Sequence, residues 1–311
     1  MLAILSTVLP VFALIALGYG AVRAKLYPAS GVHGLIAFVN NFATPCLLFN
    51  AMLHVDFGAA FIPGIIVPFY VGALFSLFVG TLLAIKLFAN RPGEGVASGF
   101  SAMFTNTVLI GIPIIARAYG QDALTIAYSI IGFHAPLLIT IGMLTMELMR
   151  RDGAPLGQVL RSAGLRIIQN PLLWGIALGA LANILGLTLA EPLDAFVVMM
   201  SAAVLPVALF GLGGALNDYR LADNWPQALA MSAFKLIVHP AIAWVLMVPV
   251  FHVDPHLARI GVLLAAMPTG INAYVFATYY DRNVSVAANT ILISTVLSMI
   301  TVSAWLWVLG L

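Results

Sequence analysis

The chain consists of apolar runs about 20 residues long, divided by short breaks that hold nearly all of its charge. A helix of that length crosses the ~30 Å hydrocarbon core of a bilayer, where every backbone N–H and C=O must find a partner within the protein. Only helices and closed barrels meet that demand. Barrel strands alternate apolar and polar residues over ~10 positions, and these runs do not alternate, so a barrel is excluded. Of 311 residues, 62% are hydrophobic and 8% charged, with a mean hydropathy of +1.08. The 13 basic and 11 acidic side chains are too few to solvate a globule of this size, which excludes a soluble enzyme and leaves no room for a sizeable aqueous domain. A net charge of +2 gives no support to a nucleic-acid partner. The single Cys46 lies inside an apolar run, so no disulfide framework is expected.

Cutting the chain at charges and at Gly, Pro and Asn clusters predicts spans at 2–22, 33–53, 61–88, 97–118, 123–147, 167–188, 193–216, 227–250, 257–279 and 284–309. The first run has no basic segment before it and no small-residue cleavage site after it, so it reads as a membrane helix rather than a signal peptide. With the N-terminus outside, the inner loops hold Arg23, Lys25, Lys86, Arg91, Arg150, Arg151, Arg161, Arg166, Arg220 and Arg282, against Arg117 and Arg259 outside. That asymmetry predicts that both termini face the periplasm or cell exterior. The longest polar interval, 150–166, is then cytosolic, and Leu156 to Ile168, with Arg161 and Arg166, reads as a short interfacial helix on anionic lipid.

That central interval separates two halves, 1–149 and 167–311, which resemble each other. A shift of 161 lays Pro10 on Pro171, Ile15-Ala16-Leu17-Gly18 on Ile176-Ala177-Leu178-Gly179, and Pro45 on Pro206; a shift of 164 lays Ala102-Met103-Phe104-Thr105 on Ala266-Met267-Pro268-Thr269. Each half has five spans, an odd number, so related halves must be inverted in the membrane. Inverted five-helix repeats belong to secondary transporters whose sites form where broken helices meet at the midplane. The fourth span, with Asn106, Thr107, Gly111 and Pro113, and the ninth, with Pro268, Thr269, Gly270 and Asn272, carry the residues that break helices. Freed backbone groups survive at that depth only within protein or against a water-filled cavity. Half-helix N-termini aimed at such a crossing offer positive dipole ends to an anion, with Asn106 and Asn272 beside them. Two kinked helices with packed Asn side chains are the plainer alternative.

Lys235 and His239 share a helical face near the middle of the eighth span. A lysine at that depth must meet an anion, a carbonyl or water, which leaves a substrate or coupling role and a tie to a helix end equally open. His134 fits either a proton carrier or a hydrogen-bonded packing residue. Asn40, Asn41 and Thr44 precede Pro45, whereas Ala203, Val204 and Leu205 precede the related Pro206; Asn41 and Thr44 are candidates for the substrate path on the first half alone. Apart from Asp194 and Glu147 at span edges the predicted spans hold no acid, and they hold no H-E-x-x-H, so neither an enzyme nor a metal or cofactor site is expected. A receptor would need a signalling domain or docking tail that the spans leave no length for.

The motif N-x-x-x-x-G-x-P at Asn106, Gly111 and Pro113, with M-P-x-x-x-N-A at Met267, Pro268, Asn272 and Ala273, resembles the auxin efflux carrier family. The resemblance implies an all-α polytopic fold like that of bile acid sodium symporters. Helices 1, 2, 6 and 7 would form a scaffold and helices 3–5 and 8–10 a transport domain, with helices 4 and 9 crossing at the site. It implies a homodimer and elevator-type alternating access. The short central loop is similar to that of bacterial members described as malonate or malate carriers, unlike plant members with long loops. The expected cargo is a small organic anion, mono- or dicarboxylate. A sodium-coupled symporter is the rival within transport.

Overall fold

The computed structural model describes residues 2–54, 62–150, 157, 161, 165, 168–169, 171–218 and 224–310. Among them every regular element is helical. In chain order these are α1 (Leu2–Arg23), α2 (Ala29–Leu53), α3 (Pro63–Leu87), α4 (Pro92–Met103), α5 (Thr107–Tyr119) and α6 (Ala123–Arg150). There follow α7 (Pro171–Ile184), α8 (Glu191–Ala215), α9 (Trp225–Val250), α10 (Pro255–Ala265), α11 (Asn272–Tyr280) and α12 (Val284–Val308). Six of the helices are long and apolar enough to cross a membrane: α2, α3, α6, α8 with its 3-10 extension to Asp218, α9 and α12. The expected fourth span is two helices, α4 and α5, and the expected ninth is likewise α10 and α11. The expected interfacial segment Leu156 to Ile168 falls mostly outside the described residues.

Proline shapes several of these helices in one recurrent way. Wide π-type turns occupy Val39–Ala43, Thr107–Gly111 and Phe234–Val238, and each ends two residues before a proline, Pro45, Pro113 or Pro240. A proline inside a helix removes one N–H and crowds the carbonyl of the preceding turn. Widening that turn by one residue relieves the clash and swings nearby side chains to a new face. Asn41, Thr107 and Lys235 all lie in such turns.

The chain divides into two compact units. One comprises Leu9–Phe61 and Leu165–Asp218, hence most of α1 together with α2, α7 and α8. Within it α2 packs on α7 and α8. Gly175 and Gly179 lie against the Pro45 and Phe49 carbonyls, where a side chain has no room. Asn183 Nδ2 donates to the Met52 carbonyl at 2.9 Å. Asn41, Pro45, Cys46, Phe49 and Trp174 line a cavity of about 440 Å³ in this unit.

The other unit comprises Met1–Val8, Ile62–Gly164 and Tyr219–Leu311, hence α3–α6 and α9–α12. Two of its four short helices, α4 and α10, are deeply buried. Every residue of α4 from Val96 to Met103 is buried, as are Ile260 to Ala265 of α10. Small residues permit this: Gly95 and Gly99 press on Thr81 and Leu77 of α3. Cross-helix amides close one end of the unit. Gln227 donates to Asn90 and Ser98, and Asn283 donates to Asn90, Ser98 and the Glu94 carbonyl. Large apolar side chains such as Phe75, Phe78, Val296 and Ile300 are exposed on its helices, as lipid-facing residues are.

Candidate substrate site

Within the second of these units the chain unwinds twice, at Phe104–Asn106 and at Ala266–Ile271, and the two unwound stretches meet. Thr105 and Thr269 face each other as an antiparallel pair. Asn106 N–H donates to the Pro268 carbonyl at 2.8 Å, and Gly270 N–H to the Phe104 carbonyl at 2.9 Å. These two bonds exchange under the 164-residue shift found in the sequence, since 104, 105 and 106 map onto 268, 269 and 270. Gly270 makes the approach possible: a methyl group there would stand 3.0 Å from the Thr105 carbonyl oxygen and 3.1 Å from the Phe104 ring. Gly111 does the same for α5 against α10, where a Cβ would meet Leu264 at 2.7 Å.

The side chains around the crossing are satisfied unequally. Thr269 Oγ1 donates to the Ser101 carbonyl at 2.9 Å, and Thr269 N–H donates to Ser294 Oγ at 3.1 Å. Asn106 caps α5, its Oδ1 accepting from Leu109 N–H at 3.1 Å. That bond fixes the orientation of the amide, because only the oxygen can accept. Asn106 Nδ2 is then a buried donor without a partner, as are Thr105 Oγ1 and His134 Nδ1 as buried polar atoms. Buried polar groups are nearly always paired, so three orphans around one point mark a place built to meet something polar. The dipoles agree with this: α5 starts at Thr107 and α11 at Asn272, so both begin at the crossing with their positive ends.

Behind the crossing lies a buried basic network. His134 Nε2 sits 3.2 Å from the Thr105 nitrogen and 3.1 Å from its carbonyl oxygen. The Phe69 ring lies between two imidazoles, 5.7 Å from His134 and 4.9 Å from His239 by ring centroids. His239 Nε2 donates to the Phe69 carbonyl at 3.0 Å, which leaves Nδ1 to accept from Lys235 Nζ, also at 3.0 Å. Lys235 Nζ also donates to the Ala265 carbonyl at 2.6 Å, at the C-terminal, negative end of the α10 dipole. Among the described residues Lys235 is the one buried Lys or Arg, and no Asp or Glu is buried.

Over residues 3–306 the chain matches the family described as membrane transport protein. It belongs to that family. This transporter is 27% identical to the protein of Rhizobium meliloti (strain 1021) that carries the name malonate transporter, over 99% of this chain and 97% of that one. It is 23% identical to auxin efflux carrier component 8 of Arabidopsis thaliana, over 99% of this chain and 98% of that one. It is 25% identical to the lysosomal cholesterol signaling protein of Mus musculus, over 95% of this chain but 36% of that protein. The family is one of transport proteins, and the Rhizobium meliloti and Arabidopsis thaliana relatives carry the names of a transporter and a carrier, not of enzymes; the resemblance read from the two Asn motifs is to the same family.

The transporter brings most of the candidate residues to one place. Asn106, Thr107, Pro268, Thr269 and Gly270 form the crossing and its start of α5; Gly111 and Pro113 stand in the next turn of α5; Asn272, half-buried, opens α11. Lys235 makes a tie to a helix end, the Ala265 carbonyl. Asn41 and Thr44 belong to the other unit, Asn41 exposed on its cavity and Thr44 buried with an unpartnered hydroxyl. Thr105, Ser101, Ser294 and the contact of His134 with Thr105 were not among the candidate site residues. The 164-residue shift carried the signal for Thr105; nothing in the sequence marks Ser294 among the hydroxyls of its helix.

Proposed function

We propose that this transporter is a secondary carrier of a small organic anion, a mono- or dicarboxylate of the malonate or auxin type. The observation that carries the reading is the Thr105–Thr269 crossing, where two helix N-termini and the unpartnered Asn106 amide converge. A carboxylate has up to four lone-pair sites and wants N–H donors and positive dipole ends. Asn106 Nδ2, the Thr107 turn, Asn272 and the first turn of α11 supply them. Gly111, Pro113, Pro268, Thr269 and Gly270 hold the backbone open for it, and Asn41 and Thr44 are assigned to the path outside the crossing.

The exchange of the two backbone bonds under a 164-residue shift supports inverted five-helix repeats on either side of 150–166. With the basic asymmetry of the loops, it supports a cell-membrane protein with both termini outside. The unit bearing the crossing is assigned as the moving part of an elevator, helices 3–5 and 8–10, and the other as the scaffold of a homodimer. The test is a thermal-shift screen of the purified protein against organic acids, malonate first, because a ligand of the folded state alone raises its stability by mass action. A stabilising acid that also exchanges across proteoliposomes is the expected result. No stabilisation by any acid overturns the reading, and exchange that requires sodium assigns the carrier to the bile acid type of symporter.

A further inference from the structure

Lys235 poses a problem of charge that the proposed anion solves. An ammonium buried without a carboxylate is among the costliest groups a membrane protein can hold. On its own helix His239 accepts from Lys235, and α10 offers the Ala265 carbonyl. From α6, His134 is close enough to Lys235 for their charges to interact. From α3 the nearest are the Phe69 carbonyl, taken by His239, and Tyr70, whose hydroxyl is spent on the Ile130 carbonyl at 2.7 Å. Helix α4 carries Glu94, which is engaged with the Arg91 N–H in its first turn. Helix α12 has no titratable residue, and on α10 Arg259 stacks on the Tyr119 ring at the other end of that helix. Among the described residues no acid neutralises Lys235, yet Ala265, which accepts from it, ends α10 only three residues before Pro268 of the crossing.

We infer that Lys235 is the proton-coupling site of this carrier: its amine takes a proton from the loading side when the anion occupies the crossing, and yields it on the other side when the anion leaves. This rests on the anion-carrier reading above. The step is a protonation alone: the lone pair of Nζ takes up H⁺ and gives the ammonium, and the reverse step returns amine and H⁺. With the crossing empty, the amine donates to Ala265 and His239 and buries no charge. With the anion present, the ammonium has its counter-charge at the unwound stretch that follows Ala265 and the negative end of α10 beside it. Binding of anion and of proton must then strengthen each other equally, by linkage. A symport of one proton per anion follows.

The test uses the full-length protein in proteoliposomes, with malonate as the probe and the membrane potential held at zero by valinomycin with equal potassium. The wild type should exchange malonate and should accumulate it when the interior is made alkaline. Lys235→Gln, permanently neutral, and Lys235→Arg, permanently charged, should each lose that accumulation at least tenfold while malonate exchange persists. A tie to a helix end alone predicts loss or retention of both activities together. Should both variants fail to fold, titration of wild-type protein with malonate in buffers of different ionisation enthalpy decides, with about one proton taken up per anion bound expected. Wild-type exchange without accumulation, no proton uptake on binding, or accumulation that survives in Lys235→Gln overturns the inference and leaves the carrier reading standing. Absence of exchange for every organic acid tried overturns the carrier reading, and this inference with it.

Discussion

Asn106 does two jobs in one side chain, and two substitutions separate them. Its Oδ1 caps α5 through Leu109 N–H at 3.1 Å, and its Nδ2 is the orphan donor at the crossing. Asn106→Ala removes both. Loss of a cap costs about 1 kcal/mol of stability. Loss of a donor to a charged acceptor costs about 1.5–3 kcal/mol of binding, or roughly 10- to 150-fold in affinity. Asn106→Ser restores a good capping oxygen but not the amide. The expectation is that Ala lowers both melting temperature and malonate affinity, whereas Ser returns the melting temperature close to wild type and leaves affinity at least tenfold down. Apparent melting in detergent and calorimetric titration with malonate, on the same preparations, give both numbers. If Ser recovers affinity along with stability, Asn106 acts only as a cap and the amide is not a ligand.

Three further outcomes are expected. Gly270→Ala forces the two unwound segments apart at the 3.0 Å approach to Thr105 and should cost about 2 kcal/mol through the two backbone bonds, with exchange lost; a wild-type melting temperature would show that the crossing yields freely. Asn272→Ala, at a half-buried position, should weaken malonate binding roughly tenfold with little change in melting temperature, since no packed core is removed; unchanged affinity would take it out of the site. Single cysteines at Gly153 and Leu311 in a Cys46→Ala background should respectively resist and accept a membrane-impermeant thiol reagent in intact cells, and the opposite pattern would reverse the topology.

The apolar runs were legible because a bilayer imposes length on them. Boundaries such as Pro63–Leu87 and Val284–Val308 fall within a few residues of the spans 61–88 and 284–309. Pro268 and Gly270 announced the second break by backbone chemistry alone, whereas Pro113 lies inside α5, seven residues past the first break at Phe104–Asn106. What the sequence did not carry was which groups would face the breaks. His134, on α6, reaches Thr105 from 29 positions away, and Lys235 reaches Ala265 from 30. Such pairings follow from how helices pack, and no local pattern encodes that. The wide turns ahead of Pro45, Pro113 and Pro240 add to the difficulty: they rotate the face on which Asn41, Thr107 and Lys235 lie, so spacing on an ideal 3.6-residue helix misplaces them.

The crossing combines a symmetric backbone with asymmetric side chains, and the combination bears on how a carrier of this kind works. The two interlocking bonds, Asn106 to Pro268 and Gly270 to Phe104, are equivalent under the 164-residue shift and hold the pair of segments together as one object. On the Thr269 side the polar atoms are already used, by Ser101 and Ser294. On the Thr105 side they are not: the Thr105 hydroxyl, the Asn106 amide and the His134 Nδ1 are left over. A site that must face either side of a membrane gains from a backbone that looks alike from both. A site that must hold one kind of cargo needs donors concentrated at one place. Here the first requirement falls to residues 104–106 and 268–270, and the second to Asn106 and its neighbours. Disturbing Gly270 should therefore damage the site as a whole, whereas disturbing Asn106 should damage its affinity for an anion.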